Sequence, residues 1–496
     1  MDRPSFTDVA FSIINHAKAH FWFCSGSEPG MTLKKGSSIV YPISGSSVDY
    51  YILECFDRQG YLARRDFRAM VVDLWKAHAK TVGNKSPARR IFRRGGKLYY
   101  KCTNTEILRI SAKGIASSES YPNVYFWNDE VEAEQVEPDL TAKPKDLIPL
   151  LRQVFRISEE HELLFAALLL AFFDPDLVSP ILVLLGSRGT SKTTTSKQIC
   201  SLVSPTKVNP LVAFPSKEDA LLAQLTNSYI AAFDNVAFPI NPRFADILCQ
   251  HVTGSTYAKR KLYSDNEKLL IPLQGKSILN GIDEIASKDD FAERCCVVNL
   301  APIPPEERMT DTQVKKRFEK VKPLLLGSIF NTLSAILANT NTFSDFKKPR
   351  MAEFFVFGLK AMEAIGENPE DFAKAYLGNV ETQVADAEAR LPIVQAVGEL
   401  FHSREEAVIK ESPTELARCL NRMAKIKDIK MVDLTPETVT KTLKKNAPAL
   451  EHCGYEVIIP QERKNKRYIE LKASDEIVKS FKKRSRRIIE DDLSDL

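Results

Sequence analysis

Between positions 181 and 199 the chain reads ILVLLGSRGTSKTTTSKQI: an apolar run, a turn holding Gly186 and Gly189, then Lys192 and Thr193 opening a helix. Glycines let a backbone bend until successive N–H groups converge on one point, and at a helix N-terminus such a nest attracts phosphate. Lys192 would add a point charge and Thr193 a hydroxyl for Mg²⁺, so that Gly186, Gly189, Thr190, Ser191, Lys192, Thr193 and Thr194 together form the expected phosphate cradle. The pattern GxxxxGKS/T has its second glycine before the lysine, where this chain has Ser191. A serine can open a helix, so crowding of the phosphate is expected rather than loss of the site. The plainer alternative is a Gly/Ser/Thr turn capping an ordinary helix.

A second apolar run, Tyr229–Phe233, ends in Asp234, which suits a carboxylate that binds Mg²⁺ through its water shell. Asn235 follows, where a catalytic carboxylate usually polarises the attacking water. An amide orients water but takes no proton at neutral pH, so Glu267 or a water chain would substitute, or turnover is low. A third run, Lys276–Asn280, ends in Asn280, placed to contact a γ-phosphate or water; a turn asparagine leading into Gly281 is the alternative. Between these runs Lys259, Arg260 and Lys261 are consecutive charges on what would be a hairpin, suited to nucleic-acid phosphates or forming a solvated face. In DDFAERCCVVNL, Arg294 stands at a helix-to-strand junction, from which it would reach a neighbouring subunit's γ-phosphate or pair with Glu293 or Asp290. Lys192, Asp234, Asn235, Asn280 and Arg294 are thus the catalytic candidates, and Thr193 and Asp234 the metal ligands.

Such side chains need a scaffold. Helix (Asp146–Phe173), strand (Ile181–Leu185), Gly-rich turn, helix and two further strands alternate as in a parallel α/β sheet. Upstream, residues 1 to about 140 read as mixed α/β, with alternation at Ser47–Phe56 and Lys97–Ile110 and a helix at Arg65–Ala79, and carry no catalytic constellation. Pro138, Lys143 and Pro144 mark a linker. Downstream, Val314–Leu337 and Met351–Ala364 are helical by periodicity. Ser412-Pro413-Thr414-Glu415 is a capping box before the apolar face Leu416, Cys419, Leu420 and Met423; Thr435-Pro436 opens a second helix running to about Cys453, where Gly454 stops it. Strands at Tyr455–Ile459 and Arg467–Leu471 flank a basic tip with Arg463, Lys464 and Lys466, which completes the pattern of a winged helix for DNA or for protein docking. The expected layout is an N-terminal α/β domain (1–143), a P-loop ATPase domain (144–310), a helical lid or spacer (311–404), a winged helix (405–473) and a basic then acidic tail (474–496).

Composition narrows the classes. The chain has 496 residues, and its 44% hydrophobic and 27% charged residues are those of a globular protein. Nine cysteines without a CxxC or zinc spacing read as reduced thiols. A net charge of +5 is too mild to argue for nucleic acid, but residues 461–487 hold 11 Lys or Arg against four acids. The apolar run Leu163–Phe173 is 11 residues, short of the roughly 18 to 20 that cross a bilayer. With no secretory signal, no membrane association and a cytoplasmic location are expected.

In combination, GSRGTSKT, AAFDN, TYAKRKLY, SILNGID and FAERCCVVNL resemble the superfamily III replicative helicases, a branch of hexameric AAA+-like ATPases of viruses, phages and plasmids, over roughly residues 150 to 305. The xDN and ILNGI motifs are similar to those of phage and mobile-element ATP-binding proteins. The resemblance implies that Lys192 and Thr193 bind ATP and Mg²⁺, Asp234 the metal, that Asn280 senses the γ-phosphate, that Arg294 is a finger in trans, and that Lys259 and Lys261 lie on a DNA-tracking hairpin in the channel of a homo-oligomer, a hexamer. The expected activity is that of an ATP-driven DNA helicase or replication initiator of a phage, plasmid or other mobile element, with single-stranded DNA in the ring and duplex at the winged helix. An ATP-switched DNA-binding assembly protein with slow or no hydrolysis is the alternative, and a nucleotide-dependent host-defence sensor a third.

Overall fold

The structure, a computed structural model, describes residues 12, 22–25, 28–34, 36–58, 60, 64–82, 87–187, 189–237, 239–260, 268–281, 289–459 and 468–480. The chain forms two compact units: residues 1–236, 247–282 and 296–376, and residues 237–246, 283–295 and 377–496.

The first unit opens with β1 (Trp22–Ser25), β2 (Glu28–Met31) and β3 (Ile39–Pro42), paired antiparallel in that order. Helices α1 (Ser46–Asp57) and α2 (Arg65–Val82) pack beside them. The alternation expected at Ser47–Phe56 is in fact helical: Val48, Ile52 and Phe56 are buried at every fourth residue, as are Val71, Trp75 and Ala79 on α2. An antiparallel meander follows, β4 (Ile91–Arg94), β5 (Lys97–Lys101), β6 (Ile107–Ser111) and β7 (Gly114–Ser118). Its first turn needs Gly95 and Gly96, both at positive φ, as a type I′ hairpin demands. The short β8 (Phe126–Trp127) returns parallel to β3.

Next in the chain come α3 (Leu147–Val154), α4 (Glu162–Ala171), β9 (Ile181–Leu185), α5 (Lys192–Val203), β10 (Leu211–Ala213), α6 (Glu218–Asn227), β11 (Ile230–Asp234), α7 (Pro242–Thr253), β12 (Ser255–Arg260), β13 (Lys268–Leu273), β14 (Lys276–Gly281), α8 (Asp289–Ala292) and β15 (Cys295–Asn299), of which residues 242–246 of α7, all of α8 and residue 295 belong to the second unit. The sheet order is β10-β11-β14-β9-β15, with the first four strands parallel. Every residue of β9 and β14 is buried; β9 is the continuous apolar run of a covered parallel sheet, whereas β14 buries Lys276, Ser277 and Asn280 beside Ile278 and Leu279. The single helix expected at Asp146–Phe173 is two helices. Phe155 is extended, and the segment after it hydrogen-bonds to the end of β15: Ser158 N–H to the Asn299 carbonyl at 3.0 Å and Ala301 N–H to that of Arg156 at 2.8 Å.

The stretch read as a linker is packed. It crosses α9 (Asp311–Ala338): Asp139 N–H donates to the Pro323 carbonyl at 2.9 Å, and the Asn331 side-chain amide donates to the carbonyls of Leu140 and Ala142 at 3.0 and 2.7 Å. Gly327 permits the crossing, because a Cβ there would lie 1.8 Å from the Asp139 oxygen. α9 is long and apolar enough to cross a membrane by composition, yet 61% of its apolar window is buried inside the protein, where it serves as a core helix. α10 (Ala352–Ile365) follows, and residues 369–376 of the next helix end this unit.

In the second unit, α11 (Pro369–Ala389) contributes its residues from 377 onward, followed by α12 (Pro392–Arg404), β16 (Val408–Glu411), α13 (Pro413–Ile426), α14 (Pro436–Lys445), α15 (Ala447–His452), β17 (Tyr455–Ile458) and β18 (Ile469–Ala473). The sheet is antiparallel in the order β16-β18-β17. Val397, Phe401, Leu416, Leu420, Val439 and Leu471 share one core. The helix expected to run to Cys453 breaks at Asn446, since Pro448 restarts it and cannot continue it. Gly454, at φ 83°, does end it. The basic tip with Arg463, Lys464 and Lys466 lies outside the described residues.

Candidate nucleotide site

From β9 the chain crosses to the far edge strand β10, whereas from β14, the neighbour of β9, it departs to β15 on the opposite side. Adjacent parallel strands whose connections leave in opposite directions open a crevice at their carboxyl ends. The three chemistry-bearing segments end there.

The turn after β9 is built for tightness. Thr190 is buried, and its hydroxyl donates to the Ser187 carbonyl at 2.9 Å; a Cβ on Gly186 would stand 2.5 Å from that hydroxyl oxygen. Gly189 takes φ +83°, and Ser191, the N-cap of α5, sits at φ 61° and ψ 27°. That left-handed conformation disfavours a residue with a Cβ by about 1–2 kcal/mol, which is the physical reason for a glycine in the usual pattern. Lys192 donates to the carbonyls of Gly186 at 2.6 Å and Ser187 at 2.9 Å. Its pKa is lowered, chiefly by burial, while the Asp234 charge opposes the shift.

Thr193, in the first turn of α5, donates its hydroxyl to the Asp234 carboxylate at 3.0 and 3.3 Å. Two hard oxygen donors side by side fit Mg²⁺, which takes one or two protein oxygens and fills its remaining positions with water and phosphate. Asn235 is exposed at φ 52°, and its N–H donates to the Asn280 side-chain oxygen at 2.8 Å. Asn280 is buried, and its amide nitrogen donates to Ser196 on α5 at 3.3 Å. Asn280 therefore joins the ends of β11 and β14 to α5.

The far end of α5 is also held. Gln135 donates to the Leu202 carbonyl at 2.8 Å and to the Tyr100 hydroxyl at 2.9 Å, and Tyr100 donates to the Val203 carbonyl at 3.2 Å. Carbonyls that a helix end leaves unpaired are thereby satisfied in a dry setting.

A cavity of about 720 Å³ adjoins the turn, lined by Ser191, Thr194 and Gln198 on one side and by Phe155, Met309 and Phe318 on the other. This volume lies in the range of small-molecule sites. The far wall is hidden in the sequence, because the apolar spacing that predicts one helix over Asp146–Phe173 runs on through Phe155. The signal was Ser158 followed by Glu159 and Glu160, a helix start.

The other candidates are placed differently. Arg294, in the second unit, pairs with Asp290 at 2.6 Å, one of the two ion pairs expected as the alternative to a reach across subunits. Lys259 is on β12, within the expected hairpin with β13, and its ammonium pairs with Asp219. The Arg260 side chain, Lys261 and Glu267 lie outside the described residues.

Residues 147–376 match a family model described as "Actinomycete integrative conjugative element replication protein", and residues 393–485 match one described as "AICE RepA C-terminal domain". No curated protein matches the chain. Among solved structures, the A form apo structure of the NrS-1 C-terminal region (305–718) is similar at 12% identity, over 94% of this chain and 98% of that one, with a TM-score of 0.39. Another A form apo structure of that region has 11% identity over 94% and 99%, and an apo structure of 305–718 has 11% over 94% and 98%, both at a TM-score of 0.39. The two matched stretches together span about two thirds of the 496 residues, and over them the chain is similar to the replication proteins of actinomycete integrative conjugative elements.

Proposed function

We propose that this replication protein takes ATP and Mg²⁺ at the crevice after β9 and works as an ATP-driven DNA helicase or replication initiator of the superfamily III type, as a hexameric ring in the cytoplasm. The observation that carries the reading is the meeting of the glycine turn, Lys192, Thr193 and Asp234 at a topological switch point, with the Thr193 hydroxyl 3.0 Å from the carboxylate. Lys192 and the turn's N–H groups would hold the phosphates, with the base in the adjoining cavity, and Thr193 and Asp234 would hold the metal. Mg²⁺, when bound, would draw off charge developing on the transferred phosphoryl group. Asn235 would orient water, with Asn280 fixing its backbone. Arg294 would leave Asp290 to serve a neighbouring subunit's site. In the second unit, α14 exposes Lys441, Lys444 and Lys445 after a capped N-terminus, which suits a winged helix laid on duplex DNA.

Asn235 supports a second reading, an ATP-switched DNA-binding assembly protein, because an amide at that place accepts no proton. Measuring ATP turnover with and without single-stranded DNA separates the two. A DNA-stimulated rate lost in Lys192→Ala supports the motor; an unstimulated background rate supports the switch.

A further inference from the structure

Tyr257 and Lys259 stand two residues apart on β12, so both side chains project from one face of the strand. That face meets the first turn of α6. The Tyr257 hydroxyl donates to the Glu218 carboxylate, and the Lys259 ammonium pairs with the carboxylate of Asp219. A hydroxyl and an ammonium side by side are a donor set of the kind that meets phosphate oxygens along a nucleic-acid backbone. Two consecutive carboxylates present anionic oxygens to the same donors.

We infer that Tyr257 and Lys259 form one phosphodiester-binding pair for single-stranded DNA, and that Glu218 and Asp219 of the same chain occupy it until DNA displaces them. The inference rests on the hairpin as a DNA contact and deepens it by adding Tyr257 and an internal competitor. Three features suit an exchange of partners. The acids sit at a helix N-terminus, where the macrodipole favours their charge whether or not the donors remain. The Asp219 carboxylate is 70% exposed, and ion pairs so open to water are individually weak. The β12–β13 ladder is paired from Ser255↔Leu273 to Arg260↔Lys268, so the side chains change partners without the strand losing its own.

The test measures the affinity of the full chain for a fluorescein-labelled oligothymidylate by anisotropy. Glu218→Gln with Asp219→Asn should tighten binding about three- to tenfold, the range expected for losing weak competing pairs. A charge-matched control, Glu370→Gln with Asp371→Asn in the first turn of α11, should give a smaller gain. Lys259→Ala and Tyr257→Phe should each weaken binding more in the acid-free background than in the wild type. If the control tightens binding equally, the gain is general charge and the competitor is overturned. If the acid-free chain binds as the wild type does while Lys259→Ala weakens both equally, the competitor falls and the hairpin contact stands. If neither Lys259→Ala nor Tyr257→Phe changes affinity in either background, the hairpin contact itself falls, and the inference with it.

Discussion

At the scale of single residues, two positions carry measurable consequences. Ser191 holds a left-handed backbone that costs a Cβ-bearing residue about 1–2 kcal/mol, part of which glycine returns as extra freedom of the unfolded chain. Ser191→Gly is therefore expected to raise stability by about 0.5–1 kcal/mol in urea unfolding, since the strain relief outweighs the added chain entropy. His251 is buried on α7, with Nδ1 3.1 Å from the Ser277 hydroxyl, and burial pushes its pKa down from 6.5 to about 4. Between those values the unfolded chain binds a proton that the folded chain refuses, so stability rises with pH across this window and is lost on acidification. The loss attributable to His251 is at most about 3 kcal/mol. Unfolding midpoints followed from pH 7 to pH 4 should fall less steeply in His251→Gln than in the wild type. The glycine turn after β9 was legible because its residue types are set by backbone geometry. The engagement of Asn280 was not, because an amide's partners depend on which strand lies beside it, and sequence order does not reveal that.

Elements were legible where one physical period ruled. β9 read directly as an apolar strand and β14 as a short strand, and α9 and α10 as helices. The errors have two causes, a neighbour that overrode local preference and a proline that ended a helix early. After Phe155 the chain leaves the helix, and Arg156 and Ser158 bond to the end of β15, whereas Pro448 divides one expected helix into α14 and α15. β16 was missed because, of its four residues, only Ile409 is buried, which leaves little alternation to see. The most exacting element contact is α9 against residues 139–142. A glycine within a helix normally gains about 1 kcal/mol on replacement by alanine. Gly327→Ala should do the reverse and cost about 1–3 kcal/mol, as overpacking does, because its Cβ would strike the Asp139 carbonyl. Thermal unfolding gives the sign, and faster proteolysis near residue 140 would locate the displaced segment.

For the whole molecule, the proposed ring makes a claim that no single subunit can satisfy. Arg294→Ala should retain ATP affinity and lose turnover by about a thousandfold or more if the guanidinium acts on a neighbour's phosphate. Mixing Arg294→Ala with Lys192→Ala subunits should then recover part of the rate, since some interfaces would join an intact turn to an intact arginine. Failure of the mixture to recover any rate, with both variants folded and associated, would place Arg294 in the ion pair with Asp290 and nowhere else. Association itself is checked by sedimentation with ATP and Mg²⁺. Subunit number and shared sites left little trace in one sequence, because their determinants are surfaces brought together only by assembly.

The crossing of residues 139–142 over α9, together with the grip of Tyr100 and Gln135 on the last turn of α5, bears on how this protein is dissected. A shortened polypeptide begun at 144, where prolines invite the cut, would strip the cover from Gly327 and bare the Leu202 and Val203 carbonyls to water. The smallest autonomous piece carrying the β9 turn should instead start near residue 87, ahead of the meander and the segment that supply those caps.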